Sequence, residues 1–363
     1  MSSETESLDP ADPVGYFLED LTYHGKTDRT KRSYERVLRR FESFVADRRG
    51  SGRSDADDDA TGNGTATTNV TARATHRDCM AFVHSLRGDH AESTVATYAA
   101  YLHRYYTYMT QVGAFESNPM TLVMEEMDES IDKDPARREI DVPAMRAFLD
   151  RVRHPLHRAV IVTFLKTGMR VGELCNLDLR DVSMPGSPAA SVYDLGTRPA
   201  LESRPDSLYV TGDARVGEPL NGEIRSAANK RKRETVIPVD EELEHVLTAW
   251  LAIRPDAVSP AEPLFIGTAG SWGERLDPES VRHIVEEHAR DHGWYRTGGG
   301  ASENVTPHYF RHFFTTHLRD RTGDRGVVKY LRGDVAEDII DTYTHNWGDQ
   351  VRATYEAHIY ELL

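Results

Sequence analysis

The segment TPHYFRHFFTTHLRDRTGDRGVVKYLRGDVAEDIIDTYTH, residues 306–345, decides how this chain is interpreted. It opens with Thr306 and Pro307, a pair typical of a helix N-cap followed by the first helical position. His308 then falls in the first turn, and Arg311 lies three positions later on the same helix face. Because free backbone N–H groups at a helix N-terminus favour anions, this spacing predicts a phosphate site.

Two earlier segments place more cations along the chain. TGMRVGEL, residues 167–174, predicts that one helix stops at Gly168 and that another begins near Arg170, whose side chain could enter a cleft. ANKRKRETVIPV, residues 228–239, predicts a basic turn followed by a β-strand. Negative charge builds up on a phosphodiester under attack, and an arginine fork grips two oxygens without losing its proton. The order of these residue types therefore suits phosphodiester cleavage.

These three segments resemble the tyrosine recombinases, the phage-integrase and Xer-like family. The segment TGMRVGEL matches the family pattern Thr-Gly-Leu-Arg followed by Glu-Leu, with methionine in place of leucine. The resemblance implies that Arg170 and Arg311 are the paired phosphate clamps and that His308 assists them. A lysine in a β-hairpin serves this family as general acid on the leaving 5′ oxygen. Counting back from the strand assigns this position to Lys230, with Lys232 as the alternative.

The nucleophile of this family is a tyrosine near the C-terminus, and the motif DTYTH places Tyr343 there. A free phenol has a pKa near 10, so its oxygen needs neighbouring cations and an in-line phosphate to attack. Tyr355 and Tyr360 are the rival candidates, although both fit packing positions of an amphipathic last helix. That helix, residues 348–363, is expected to dock either on a neighbouring protomer or on its own domain.

The sequence departs from the family at Asp334. Family members usually carry Leu-Gly-His or Leu-Gly-Trp here, and that side chain hydrogen-bonds the phosphate, whereas this chain reads LRGD. Three interpretations are open. Asp334 accepts a proton or orients another residue, its charge being bridged through Arg332 or a water; Trp347 or His345 substitutes for it; or catalysis is weakened.

Three histidines raise the possibility of a metal site, since His308, His312 and His317 lie at spacings of four and five residues. An HExxH zinc motif has a glutamate between its histidines, and none is present here. The resemblance implies strand cleavage without metal or ATP, so no cofactor is expected. His312 and His317 are interpreted as packing or supporting residues.

The chain has 363 residues and a formal net charge of −15, from 44 basic and 59 acidic residues. Only seven of the basic residues are lysines, and this composition resembles that of salt-adapted (halophile) cytoplasmic proteins. Basic patches remain at residues 22–49 and 223–234, where DNA contact is expected. The acidic N-terminus does not suit a signal peptide, and no apolar run is long enough for a membrane span. Cys79 and Cys175 are too few for a disulfide framework.

Length and patterning predict two domains. We expect a disordered tail at residues 1–13 and a helical, SAM-like core-binding domain at 14–130, with a flexible acidic insert at 50–74. Residues 131–139 are expected to be a linker, and 140–363 the catalytic domain. The resemblance implies a mainly α fold with a small antiparallel β-sheet, shaped as a C-shaped clamp around double-stranded DNA.

A second departure from the family lies at residues 185–222, which lengthen the separation of Arg170 from Lys230. This segment is rich in proline, glycine and serine and contains one strand-like piece, SLYV. We expect it to extend the small sheet with a long loop.

The sequence therefore predicts a site-specific DNA recombinase (integrase) that breaks and rejoins strands through a 3′-phosphotyrosyl intermediate. By resemblance, four protomers are expected to act on two duplexes. Two alternatives stay open: a type IB topoisomerase-like enzyme, and a non-catalytic or weakened DNA-binding member of the family, which Asp334 favours.

Overall fold

The computed structural model describes residues 12–50, 70–130, 136–231, 234–334 and 347–363. Contacts divide the chain into two compact units, residues 1–134 and 135–363. The described part is mainly helical and carries one three-stranded and one two-stranded antiparallel sheet, which confirms the predicted fold class. In these ranges no helix combines the length and the apolar character needed to cross a membrane.

The first unit is helical. Its described helices are α1 Pro13–Tyr23, α2 Asp28–Gly50, α3 His76–Leu86, α4 Glu92–Gln111 and α5 Thr121–Glu126. Their buried sides form one apolar core. Sequence periodicity indicates only four helices, because α5 has six residues and is too short to show a helical repeat.

The predicted tail, acidic insert and linker lie largely outside the residues that the structure describes. Residues 1–11 of the predicted tail, 51–69 of the predicted acidic insert and 131–135 of the predicted linker are not among the described residues. At the edge of the tail, Asp12 caps α1 by accepting a hydrogen bond from the Gly15 amide at 3.0 Å.

The second unit holds the remaining elements. Its described helices are α6 Val142–Leu149, α7 Pro155–Thr167, α8 Val171–Cys175, α9 Glu241–Leu251, α10 Pro278–Asp291, α11 Pro307–Thr322, α12 Arg325–Arg332 and α13 Trp347–His358. Its strands are β1 Val182–Ser183, β2 Ser207–Val210, β3 Pro219–Leu220, β4 Glu223–Ile224 and β5 Thr235–Pro238. Helix α7 packs against α9 and α11, so it lies at the centre of the apolar core.

Strand β2 is the SLYV segment that the sequence indicated, and it is the central strand of its sheet. It pairs antiparallel with β1 and with β5, where Leu208 faces Ile237. The basic segment before β5 is not the tip of a tight hairpin, because β2 ends at Val210 and β5 begins only at Thr235. A long excursion containing β3 and β4 connects the two strands.

Buried ion pairs hold this excursion against the rest of the unit. Asp178 is fully buried and accepts hydrogen bonds from Arg225 at 2.7 Å, Arg275 at 2.6 Å and Asn221 at 3.0 Å. Glu223, on β4, accepts another from Arg275 at 2.6 Å. Because buried charges need partners, these contacts fix the end of the insertion to the segment after α8.

Candidate active site

Helix α11 begins as the sequence predicted, with Thr306 before it and Pro307 as its first residue. Three positions separate His308 from Arg311, yet their environments differ. His308 is exposed at the helix start, whereas Arg311 is only 3% exposed. Arg311 Nη1 donates to the carbonyl oxygens of Gly168 at 2.6 Å and Arg332 at 3.0 Å, so its guanidinium is held in one orientation.

Arg170 reaches the same region from the junction of α7 and α8. Gly168 ends α7 with φ +61°, and a Cβ there would lie 2.3 Å from the Phe314 ring, so only glycine fits this turn. Arg170 then caps α8, and its backbone N–H donates to Glu173 Oε2 at 3.0 Å. Its Nη1 donates to Glu173 Oε1 at 3.0 Å, which aims the guanidinium.

The two clamp candidates converge on Asp334. Asp334 Oδ1 accepts from Arg170 Nη2 at 2.6 Å and from Arg311 Nη2 at 2.9 Å. Its Oδ2 pairs with Arg332 Nη2 at 2.8 Å. Arg332 thus bridges the charge of Asp334, as the sequence analysis considered, and Asp334 contacts the guanidinium groups of both clamp candidates. His345 and the side chain of Trp347, the proposed substitutes, lie outside the described residues.

The charged residues of this cluster shift one another's pKa values. Burial raises the pKa of Asp334, but Arg311, Arg332 and Arg170 outweigh that effect and hold it below its ordinary value. Burial and then the neighbouring arginines lower the pKa of Arg311 to about 10, so it remains protonated at pH 7. Desolvation by the surrounding protein lowers the pKa of His308, although its side chain is exposed, and nearby arginines lower it further. Both effects favour the neutral form of the His308 imidazole.

Lys230 is not bonded to this cluster in the described structure. It is exposed and precedes β5, and it makes no hydrogen bond or ion pair with any described residue. The alternative, Lys232, lies outside the described residues. The residue between them, Arg231, is buried and donates to Glu173 Oε2 at 3.1 Å.

Tyr343 lies within residues 335–346, outside the described residues, so its assignment stays a prediction. Its rivals are both fully buried. Tyr355 Oη donates to the Lys166 carbonyl oxygen at 3.0 Å and Tyr360 Oη to that of Leu165. Burial raises the pKa of both phenols well above 10, and buried, engaged hydroxyls are poorly placed to attack a DNA strand.

The last helix packs on its own unit, one of the two expected outcomes. Helix α13 contacts α11, α12 and β5. Beyond it, Lys166 Nζ donates to the Tyr360 carbonyl oxygen at 2.6 Å, and Glu242 accepts from the Leu362 and Leu363 amides. The final residues are therefore anchored to α7 and α9 of the same chain.

Three residues of the cluster carried no assigned site role in the sequence. Glu173 left a local signal, because it completes a capping box with the backbone of Arg170. No local sequence pattern indicated Arg231, because residues distant in sequence determine which arginine of the KRKR run is buried. Arg332 was considered only as a bridge for the charge of Asp334.

The described residues offer no arrangement of three or more His, Cys, Asp or Glu side chains suited to a metal ion. His317 Nε2 contacts the Ile140 carbonyl oxygen at 3.1 Å and its ring lies against Phe313. This agrees with a packing role. Cys79 and Cys175 are free and buried.

Comparison with known proteins finds similarity over part of the chain. Residues 214–348 match the family model described as "Phage integrase family", a range that includes Lys230, His308, Arg311 and Asp334. Among curated relatives, the tyrosine recombinase XerC of Thermodesulfovibrio yellowstonii is 25% identical over 211 residues, 55% of this chain and 56% of the relative. The XerC of Pelobacter propionicus is 23% identical over 72% of this chain and 68% of its own length. The chain thus spans little more than half the length of the first of these relatives.

Solved structures share the fold at low sequence identity. The Tn1549 transposon integrase in complex with transposon right end DNA superimposes with a TM-score of 0.59 at 17% identity, covering 95% of this chain and 98% of that one. A lambda integrase dimer bound to a core site gives 0.58 at 14% identity, covering 93% and 77%. Residues 214–348 of this chain are thus similar to the phage integrase family, and the described structure has the fold of the solved integrases.

Proposed function

We propose that this protein is a site-specific DNA recombinase that breaks and rejoins DNA strands through a 3′-phosphotyrosyl intermediate. One observation carries the proposal. Arg170 and Arg311, from separate helices, both donate to a single carboxylate oxygen of Asp334, at 2.6 and 2.9 Å. Two guanidinium groups spaced to hold one oxyanion are suited to a non-bridging phosphate oxygen in the same position.

The remaining residues of the site have the following roles in the proposed reaction. Tyr343 Oη attacks the scissile phosphorus, and its proton passes to His308, whose lowered pKa favours the neutral imidazole that can accept it. The bond from phosphorus to the 5′ oxygen breaks, and Lys230 protonates that oxygen. A 5′ hydroxyl of a partner strand later attacks the phosphotyrosine and restores the phosphodiester, so the phosphate bond is conserved.

Asp334 acts here as a positioning residue. Without DNA its carboxylate holds Arg170, Arg311 and Arg332 in place, and the depressed pKa keeps it ionised. On DNA binding, a phosphate oxygen takes over the donors at Oδ1, while Oδ2 stays paired with Arg332. This arrangement lets a carboxylate occupy a position where the family usually has histidine or tryptophan.

Several finer features belong to the same proposal. Tyrosine chemistry needs neither metal nor ATP, and double-stranded DNA is the substrate. A lambda integrase tetramer bound to a Holliday junction shares this fold, with a TM-score of 0.58, which supports a homotetramer on two duplexes. The excess of acidic residues over lysine suits a salt-adapted (halophile) protein acting in the cytoplasm.

The test is a covalent trapping assay in high salt. A pool of nicked duplexes with randomised centres lets the short cleaved strand diffuse away, so any phosphotyrosyl protein accumulates. Denaturing gels detect the adduct, sequencing of the bound strand gives the site, and peptide mass spectrometry gives the modified residue. We expect the adduct on Tyr343 and its loss in Tyr343→Phe, with Tyr355→Phe as a matched control that retains it.

The other outcomes select the alternatives. Specific DNA binding without an adduct in any pool would replace the recombinase by a non-catalytic DNA-binding protein. Adduct formation with relaxation of supercoiled plasmid and no strand exchange would replace it by a topoisomerase-like enzyme. An adduct on another tyrosine would keep the reaction class and move the nucleophile.

A further inference from the structure

Helix α8 holds the backbone of the basic segment that leads to β5. Asn176, which follows α8, donates from Nδ2 to the Ala227 carbonyl oxygen at 2.9 Å and to Asn229 Oδ1 at 2.9 Å. At Gly172 a Cβ would lie 2.5 Å from the Ala228 carbonyl oxygen, so glycine lets the segment approach the helix closely. The segment is therefore docked on α8, the helix that begins directly after one of the two clamp arginines.

Burial alternates along this segment. Buried and more exposed positions follow one another from residue 225 to residue 231, as in an extended chain whose successive side chains point to opposite faces. Lys230 is exposed, whereas its two neighbours, Asn229 and Arg231, are buried. The inner face thus binds the protein, and the outer face presents the Lys230 side chain.

Asn229 is the anchor on one side of Lys230. Its Nδ2 donates to the Thr211 carbonyl oxygen at 2.9 Å, and its Oδ1 accepts from Asn176. Its backbone N–H donates to the Ala214 carbonyl oxygen at 2.9 Å. Three hydrogen bonds fix both the backbone and the side chain of this residue, so the position of the next Cα is restricted as well.

Arg231 is the anchor on the other side. Its side chain is closed to solvent, and its Nη2 donates to Glu173 Oε2 at 3.1 Å. It also lies against Gly333, where a Cβ would lie 2.4 Å from Arg231 Cγ. Arg231 therefore contacts both Glu173 and the residue directly before Asp334, and each of these two carboxylates bonds to Arg170.

A gain in stability does not explain the burial of Arg231 well. Its Nε and Nη1 have no hydrogen-bond partner among the described residues, so the guanidinium is desolvated without complete compensation. Buried ion pairs often contribute little net stability compared with apolar side chains of similar size, because desolvation offsets the attraction. In some proteins such pairs instead fix one arrangement of the chain. The arrangement that this pair fixes is that of the neighbouring lysine.

We propose that Asn229 and Arg231 are positioning residues for strand cleavage, which hold Lys230 beside the clamp so that its Nζ protonates the leaving 5′ oxygen. The inference rests on the proposed function, in which Lys230 is the general acid. Consecutive Cα atoms are about 3.8 Å apart, so two anchored neighbours restrict the Lys230 backbone while its side chain stays free to reach DNA. Loss of an anchor should impair proton transfer more than phosphate binding, because Arg170 keeps its own two carboxylate partners.

The test replaces the leaving oxygen by sulfur. A nicked duplex carrying the site recovered by covalent trapping is prepared with a normal scissile phosphate and with a 5′-bridging phosphorothiolate. In the oxygen duplex the P–O bond breaks and the 5′ oxygen takes a proton from Lys230 Nζ. In the sulfur duplex the P–S bond breaks and a 5′ thiolate leaves without a proton, since a thiol has a pKa of only about 8.5. The rate of adduct formation is measured in single turnovers.

Lys230→Ala defines the pattern expected when the general acid is lost, a decrease of about 10²–10⁴-fold on the oxygen duplex and recovery on the sulfur duplex. Arg231→Met keeps the length of the side chain without its charge. We expect it to be about 10- to 100-fold slower on the oxygen duplex and to recover toward the wild-type rate on the sulfur duplex. Arg170→Lys should be slow on both, because it damages the clamp. Arg254→Met is the matched control, since Arg254 is likewise buried but pairs with Glu262, and it should leave both rates unchanged.

Asn229→Ala covers the case in which Arg231→Met does not fold. It removes the anchor on the other side of Lys230 and leaves the bond between Arg231 and Glu173 intact, so the same recovery on sulfur is expected. Thermal unfolding identifies the folded variants. The inference is overturned when a folded variant of either anchor cleaves the oxygen duplex at the wild-type rate, or is slowed equally on both duplexes.

Failure of the proposed function gives different results. Absence of an adduct from the wild-type chain in the trapping pool would sink the recombinase reaction itself. Wild-type rates in Lys230→Ala would remove the general acid, and this inference with it, while the reaction stands. Recovery of Lys230→Ala on the sulfur duplex without recovery of Arg231→Met would remove only the positioning role.

Discussion

Asp334 Oδ1 accepts a hydrogen bond from Arg311 Nη2 at 2.9 Å, and this ion pair lies where a phosphate is proposed to bind. The same oxygen also holds Arg170. The carboxylate therefore imitates the charge and the acceptor geometry of a phosphate in the DNA-free protein. If the proposed function holds, DNA competes with this carboxylate, so we expect the residue at 334 to affect both stability and DNA affinity.

Replacing Asp334 by asparagine should strengthen DNA binding. The amide is neutral and a weaker acceptor than the carboxylate, so it competes less with a phosphate for the arginines. The substitution also removes a negative charge that repels the phosphate. We therefore expect a several-fold lower Kd for DNA. The DNA-free protein should unfold at a lower temperature, because three arginines lose an anionic partner. Fluorescence anisotropy and thermal unfolding measure the two effects.

Asp320→Asn is the matched control, since Asp320 is exposed on α11 and pairs only with its neighbour Arg319 among the described residues. Unchanged affinity in Asp334→Asn would contradict competition between this carboxylate and the phosphate.

Lysine substitutions should separate the two clamp arginines. Arg311→Lys cannot satisfy the carbonyl oxygens of Gly168 and Arg332 together with Asp334, so we expect about 2 kcal/mol lower stability as well as loss of cleavage. Arg170 bonds two carboxylates at a partly exposed position, so Arg170→Lys should impair cleavage with a smaller loss of stability. Urea unfolding and adduct yield are the measurements. Equal destabilisation by both would show that the burial of Arg311 has no energetic consequence.

The ion pairs of Lys166 help to anchor the C-terminal residues, and they should contribute more to the free energy of unfolding than an ion pair at the surface. Lys166 is 1% exposed and meets Asp240 at 2.6 Å and Glu242 at 2.5 Å. Lys166→Met leaves two carboxylates without their partner, so we expect a loss of about 3 kcal/mol. Lys31→Met removes a pair at the surface, in which Lys31 is half-buried and Asp28 is exposed, and should cost less than about 1 kcal/mol. Chemical denaturation compares them, and similar losses would refute the anchor.

A histidine cluster should make stability depend on pH below neutrality. His157 Nδ1 lies 2.9 Å from His288 Nε2, and the ring of His154 stacks on His157 at 4.4 Å. Burial, followed by repulsion from His154 and His288, lowers the pKa of His157 to about 4. The unfolded chain takes up this proton below pH 6.5 and the folded chain resists it. The free energy of unfolding should therefore fall between pH 6.5 and about 4.

The slope from one such group approaches about 1.4 kcal/mol per pH unit. His157→Gln should flatten this part of the profile in urea titrations, while His24→Gln, in the first unit, should leave it as in the wild type. A profile that is equally steep in both variants would mean that other groups control it.

Local sequence rules accounted for the elements that carry the candidate site. Gly168 ends α7 because a left-handed residue is needed there, and Pro307 opens α11 because it needs no hydrogen-bond donor at that position. The β-favouring residues of the TVIPV segment predicted strand β5. The family pattern then assigned Arg170, His308 and Arg311 to the predicted site. Such signals span only a few residues, so they are visible without a fold.

The tertiary structure decided which charges meet. Arg170, Arg311 and Asp334 are far apart in sequence, and the packing of α11 against both α7 and α12 brings the two arginines to one carboxylate oxygen of Asp334. Burial likewise separated Arg231 from its exposed neighbour Lys230, although both belong to one basic run. A residue's charge type is a local property, whereas its partner and its solvent exposure depend on residues brought together by the fold.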